Sequence, residues 1–246
     1  MGIQHTNYYR PSSSNLIYAL IPSAGYGLRM GGIKKPYIEI SGKPILAYTL
    51  EVFQQSDLVD GIYVVVAAGD EDRCTQEVTS LYRLSKVVGV IPGGKTRQES
   101  VLNGLKSLPS DTNMVIIHDG VRPFVAEEMI EDTLHCANIW GAAVIGVPVK
   151  DTVKEVDDEV FATKTLNRQK VWSIQTPQTF KYKIILQAYL NACNNGIQAT
   201  DDASLVEILG GCRVKLVMGS YENIKITTPD DLVMGKAILE SRCYQK

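Results

Sequence analysis

Apolar, β-branched runs alternate with amphipathic segments along most of the chain. Runs at 16–22, 61–67, 86–91, 113–118, 142–149 and 213–218 predict strands, several of them apolar at consecutive positions. Strands buried on both faces read that way. Apolar positions recur at helical spacing over 44–56, 71–82, 97–108, 126–140, 181–194 and 201–210, and a last helix is expected over 229–241. Pro44 suits a first helical turn, as does Pro229 after Thr228, a good N-cap. The alternation predicts an α/β fold, a mostly parallel twisted sheet with helices on both faces.

Residues 150–171 (KDTVKEVDDEVFATKTLNRQKV) break the rhythm, being charged and without a helical stripe. They predict a β-hairpin projecting from the core as an arm, with Asp157 and Asp158 near its tip. Such an arm is too polar to fold back, so contact with a second subunit is expected. No repeat, low-complexity tract or linker divides the chain, which predicts one domain over 15–246. Residues 1–14, which hold Ser12, Ser13 and Ser14 and lack the apolar core of a signal peptide, are expected to form a mobile tail.

An apolar content of 45% with 21% charged residues is that of an ordinary globular protein. The net charge of −2 leaves no basic excess to coat a nucleic acid, so none is expected as a partner. Five scattered cysteines form no CxxC pair, which argues against a zinc site or a disulfide framework and for reduced thiols in a cytoplasmic protein. No apolar run approaches the ~18 residues of a membrane span.

The chemistry begins where the first strand ends. Leu16–Ile21 empties through Pro22, Ser23 and Ala24 into a loop with Gly25, Gly27, Gly31 and Gly32, together with Arg29, Lys34 and Lys35. Glycines let backbone N–H groups approach an anion, and the cations suit a triphosphate. A solvated connector is the plain alternative. The loop fails the dinucleotide fingerprint, because Met30 stands where GxGxxG needs its last glycine.

Gly89 to Thr96 (GVIPGGKT) matches the phosphate-loop string GxxxxGK[ST], and the apolar strand ending at Asp119 resembles its magnesium-holding partner. That reading, a P-loop NTPase built on Lys95 and Thr96, is weakened by context. Gly89 lies inside a strand and Pro92 removes a backbone donor. The better expectation is a turn into a helix, where Gly94 and the Ser100 hydroxyl read a base edge, although Thr96 and Glu99 also fit an ordinary capping box.

His118-Asp119-Gly120-Val121-Arg122-Pro123 follows a strand at the edge where open α/β sheets bind ligands. Asp119 is placed for a divalent metal bridging phosphates, and Arg122 for a substrate phosphate or for pairing with Asp119. His118 is expected to pack and hydrogen-bond. On or beside the arm lie Lys150, Thr152, Lys154, Arg168 and Thr176, a phosphate cluster or a solvated hairpin with balanced charges. Thr200-Asp201-Asp202 opens a helix. Lys225, between Ile224 and Ile226, faces either a cleft or solvent.

Together these strings resemble the 2-C-methyl-D-erythritol 4-phosphate cytidylyltransferases of the non-mevalonate isoprenoid pathway. PSAGYGLRMG, KKPYIEISGKPIL, GGKTRQESV, HDGVRP, PVKDTVKEV, TPQTF, TDDAS and NIKITTPDDL occur in the family's order over nearly all of 16–241. The resemblance implies a Rossmann-like nucleotidyltransferase core and a homodimer joined through the arm at 150–171. It implies CTP held by Pro22, Ser23, Ala24, Gly25, Gly27, Gly94, Lys95, Ser100, Asp119 and Gly120. The acceptor would be held by Thr152, Arg168, Arg122, Thr176, Thr200 and Lys225. Arg29, Lys35, Lys225 and Arg168 become the catalytic cations and Asp119 the Mg²⁺ ligand. Lys35 is chosen over Lys34 because it precedes Pro36-Tyr37-Ile38. A sister family acting on ribitol 5-phosphate shares the nucleotide half, but the arm string PVKDTVK favours the methylerythritol acceptor.

Overall fold

The structure is a computed structural model and describes residues 15–25, 34–209 and 211–243. The expected N-terminal tail, Gly27, Arg29, Gly31 and Gly32 lie outside the described residues.

Seven strands form the main sheet. In chain order they are β1 (Leu16–Pro22), β4 (Gly61–Val66), β5 (Val87–Pro92), β6 (Thr112–Ile117), β7 (Ala142–Pro148), β10 (Trp172–Lys181) and β11 (Val214–Met218). Their spatial order is β11-β7-β10-β6-β1-β4-β5. Two short strands, β2 (Glu39–Ile40) and β3 (Lys43–Pro44), pair with each other, as do β8 (Lys154–Val156) and β9 (Ala162–Thr165). All pairings in the main sheet are parallel except those of β10, which runs antiparallel to both β6 and β7.

Alternation along the strands sorts the core into two layers. Ile17, Ala19 and Ile21 of β1 face one side, with Ile62 and Val64 of β4. There they meet Leu46, Leu50 and Phe53 of α1 (Ile45–Gln55) and Ile130 and Leu134 of α4 (Glu127–Trp140). Leu20 and Val65 face the other side, against Val101 and Leu105 of α3 (Arg97–Ser107) and Ile185 and Tyr189 of α5 (Tyr182–Asn195). Helices therefore cover both faces, as the apolar runs predict. A third cluster gathers Ile40, Ile45, Val121, Phe124 and Ile226 beside α7 (Pro229–Cys243). No helix among the described residues is long and apolar enough to cross a membrane.

Three expectations need correcting. The helix expected at 71–82 is α2 (Glu71–Cys74) continued by a wider π-helical stretch, Thr75–Ser80. Pro44 ends β3 and caps α1 rather than entering its first turn. The largest departure is β10, a central strand where none is expected. Proline rarely sits inside such a strand, because it cannot donate to the ladder. Pro177 is accommodated in a register shift between Ile174 and Gln178, where pairing with β7 is interrupted. Thr176 thus belongs to the sheet, not to the arm's surroundings.

The arm itself forms as a hairpin of β8 and β9, with a tip closed by Asp157. The Asp157 carboxylate accepts from Glu159 and Phe161 N–H, at 3.1 and 2.8 Å.

Candidate active site

The chain leaves β1 for β4 and β5 on one side and returns to β6 on the other, so a crevice opens at the carboxyl ends of β1 and β6. Past the strand ends the backbone stays tied. Ser23 N–H donates to Val65 O at 2.6 Å, Gly93 N–H to Val66 O at 2.7 Å, and Gly120 N–H to Pro22 O at 3.2 Å. A Cβ on Gly120 would stand 1.9 Å from Ser23 Oγ, so a side chain there would displace the Ser23 hydroxyl. The Ser23 hydroxyl is buried, borders the crevice and has no hydrogen-bond partner among the described residues.

The turn from Gly93 into α3 is held by its own side chains. Ser100 Oγ accepts from Gly94 N–H at 3.0 Å and donates to Thr96 O at 2.8 Å. Glu99 accepts from Lys95 N–H at 2.7 Å, while Thr96 Oγ1 caps Glu99 N–H at 3.0 Å. A phosphate loop would offer the Gly94 and Lys95 amides to its ligand; here both are taken. Gly89 lies within β5, so the string is an edge strand and a capped helix start. The P-loop reading is set aside.

Asp119 is buried and gathers three cations. Lys225 Nζ lies 2.9 Å from Oδ2, Arg97 Nε 3.4 Å from Oδ1, and Arg122 Nη2 3.9 Å from Oδ2. Burial alone would raise the carboxyl pKa, but Arg97, Lys225 and Arg122 outweigh it and hold the group well below the usual carboxylate range. Asp119 N–H donates to Thr176 Oγ1 at 3.1 Å, and that hydroxyl also meets His118 Nδ1 at 3.1 Å. His118 Nε2 lies 2.9 Å from Arg122 O, an acceptor only, so Nε2 carries the proton and Thr176 donates to Nδ1. Burial lowers the His118 pKa to about 4, which keeps the ring neutral. As expected, this histidine packs and hydrogen-bonds.

Two cavities meet at this carboxylate. The first, about 280 Å³, is bordered by Pro22, Ser23, Ala24, Gly25 and Lys35 on one side and Gly94, Lys95 and Ser100 on the other. The second, about 370 Å³, is bordered by Arg122, Thr176, Gln178 and Thr200. Asp119, Arg97 and Lys225 border both. Lys225 faces the crevice because Ile226 is buried in the third cluster and Ile226 N–H donates to Val121 O at 2.8 Å. Lys34, by contrast, is paired with Asp70, while Lys35 borders the first cavity. Arg122 Nη1 donates to Asn223 O at 2.7 Å. Thr152 and Arg168 border neither cavity; Arg168 Nη1 donates to Lys150 O at 3.0 Å at the base of the arm. Gly27 and Arg29 lie outside the described residues.

Arg97 is the residue that reading the sequence passes over. One signal marks it: an arginine in the first turn of a helix opposes the helix dipole and calls for carboxylate partners. Asp119 and Asp202 hold its pKa well above the ordinary value against the effect of burial. Asp202, in the first turn of α6 (Asp202–Leu209), leaves no such signal, since an acid there is unremarkable.

A mostly parallel sheet with a two-part crevice at its carboxyl edge, and Arg97 and Lys225 shared between the halves, suits a nucleotidyltransferase. The sequence pattern of the 2-C-methyl-D-erythritol 4-phosphate cytidylyltransferase (IspD) family matches residues 17–241, and the chain belongs to that family. A cytidylyltransferase of that description from Desulforamulus reducens is 49% identical over 227 residues, covering 92% of this chain and 97% of the relative. One from Clostridium acetobutylicum is 47% identical over 228 residues, covering 92% and 99%. Among solved structures, the 4-diphosphocytidyl-2C-methyl-D-erythritol synthase of Anaerococcus prevotii superposes with a TM-score of 0.81 at 35% identity, covering 92% and 97% of the two chains. The Francisella tularensis cytidylyltransferase gives 0.77 at 32%, covering 91% and 99%.

Proposed function

We propose that this chain transfers the cytidylyl group of CTP to 2-C-methyl-D-erythritol 4-phosphate and releases pyrophosphate. The observation that carries the proposal is the Asp119–Lys225–Arg97 cluster on the boundary between two cavities, where two anionic reactants would meet. CTP takes the first cavity, with its base against the Gly94–Ser100 turn and its phosphates toward Gly25 and Lys35. The acceptor takes the second, toward Arg122, Thr176 and Thr200.

An oxygen of the acceptor phosphate attacks the α-phosphorus of CTP in line. The new P–O bond forms as the bond to the β-phosphate oxygen breaks, and pyrophosphate leaves with that electron pair. The attacking monoester is already deprotonated near neutral pH, so no general base is required. Repulsion and orientation are the obstacles, and Lys35, Lys225 and Arg29 offset the charge that builds up.

Asp119 is an ionised carboxylate bordering both cavities. Among the described residues no group of three or more acidic, histidine or cysteine side chains forms a self-sufficient metal site. That donor set fits Mg²⁺ carried mainly by nucleotide oxygens, with Asp119 as its protein ligand. When bound, the ion supplies further positive charge to the triphosphate.

A homodimer completes the reading. The arm is exposed along β8 and β9, with Val156, Val160 and Phe161 uncovered near its tip. Since Thr152 and Arg168 reach neither cavity of their own chain, they act on the acceptor in a partner's site. One nucleotidyltransferase unit over 15–246, arm included, and a cytoplasmic location accord with the continuous sheet and the free thiols Cys74, Cys136, Cys193 and Cys212.

The test is pyrophosphate release with CTP, Mg²⁺ and either polyol phosphate. Release is expected with methylerythritol phosphate and not with ribitol 5-phosphate. The reverse preference would replace the acceptor, and hydrolysis of ATP or GTP without a CTP-dependent product would overturn the reading.

A further inference from the structure

The first turn of α3, on the nucleotide side, and the segment entering α6, on the acceptor side, are far apart in sequence but lashed together. Gln98 Nε2 donates to Ile197 O at 2.9 Å, and Ala199 N–H donates to Gln98 Oε1 at 3.2 Å. Next to it, Arg97 grips Asp202 with both terminal nitrogens, Nη1 to Oδ1 at 2.9 Å and Nη2 to Oδ2 at 2.7 Å. Asp202 is fully buried. From α5, the Tyr189 hydroxyl donates to Oδ1, the same oxygen that takes Nη1.

A guanidinium is planar, so holding both terminal nitrogens fixes its plane and with it the position of Nε. Nε then lies 3.4 Å from Asp119 Oδ1, an ion-pair contact. A contact serving only to join α3, α5 and α6 would be met as well by apolar packing, because desolvating a charge pair offsets most of its attraction.

We propose that Asp202 and Tyr189 are positioning residues: through Arg97 they fix where the Asp119 charge stands between the two cavities. This rests on the CTP-dependent reaction above. It links the Thr200–Asp202 segment bordering the acceptor cavity to the turn that borders the nucleotide cavity.

Tyr189→Phe keeps the ring and removes only the hydroxyl. It is compared with Asp202→Asn, with Arg97→Lys, and with the Arg97→Lys/Tyr189→Phe double variant. CTP and the acceptor are varied separately, CTP affinity is measured by calorimetry, and melting is followed alongside. We expect kcat to fall about tenfold in Tyr189→Phe and about 10²-fold in Asp202→Asn, with KM moving less, because a small misplacement near the reacting groups is costly. The double variant should be no slower than Arg97→Lys, since the hydroxyl acts through the guanidinium.

A Tyr189→Phe protein that melts lower but keeps kcat within about twofold of the parent, or losses that multiply in the double variant, would overturn the proposal. Should Asp202→Asn fail to fold, the Arg97–Tyr189 cycle decides alone. A parent that binds CTP but releases no pyrophosphate would defeat the reaction, not the positioning. The same non-additivity would then be read in CTP affinity.

Discussion

Lys225 Nζ stands 2.9 Å from Asp119 Oδ2 and is the more exposed partner of the pair. The carboxylate also faces Arg97 and Arg122, so it remains compensated when the lysine turns to a phosphate. Lys225 is thus a cation the site can lend.

Replacing it should therefore harm turnover far more than folding. Lys225→Ala is expected to lower kcat on the order of 10²–10³-fold, the range for a preorganised charge-stabilising group. Melting should change by only a few degrees. Steady-state pyrophosphate release with a parallel thermal melt checks both.

Lys34 and Lys35 are adjacent yet differently engaged. Lys35→Ala should lose about 10²-fold or more in kcat. Lys34→Ala removes the partner of Asp70 and should cost much less. A reversed ranking in the same assay would exchange the two roles.

Lys95 is exposed, and its backbone N–H is already taken by Glu99. Lys95→Ala should keep turnover within about threefold of the parent, the size of effect left when a weak, solvent-screened charge is lost. Abolished nucleotide turnover would revive the phosphate-loop reading.

The trans arrangement proposed for the arm can be tested by mixing. Lys225→Ala and Arg168→Ala proteins should each be nearly inactive. If Arg168 serves the partner's site, a refolded equal mixture should recover about a quarter of parental activity, because half of randomly paired dimers carry one intact site. No recovery would place Arg168 in its own chain's site.

His118 gives a pH signature. Its folded pKa, lowered to about 4, lies below the ordinary 6.5, so the unfolded chain binds the extra proton first. The resulting stability is fully present above pH 6.5 and is lost as pH falls toward 4, about 3 kcal/mol across that window. Melting of His118→Gln should fall less steeply than the parent between those limits.

Much of the sheet is legible because its strands announce themselves: the apolar runs of β1, β4, β6 and β7 stand out against amphipathic helices. The strand β10 stays hidden, since Pro177 and the polar string around it read as a turn, and only the register shift beside β7 makes room for them. The same contrast holds in the site. Asp119 and Lys225 can be named from strings that end or follow apolar segments. Arg97 and Asp202 find each other only through the packing of α3 against α5 and α6, which no local pattern encodes.

The position of the arm in the sheet has a consequence of its own. The chain departs at Pro148 and returns at Trp172, which face each other across neighbouring antiparallel strands. Its two ends are thus about one strand spacing apart, roughly 5 Å. The whole excursion is an enlarged hairpin loop grafted onto a closed frame. The frame itself sets neither the loop's length nor its composition, so the acceptor and subunit contacts proposed for the arm can be altered while the nucleotide half of the crevice stays where it is.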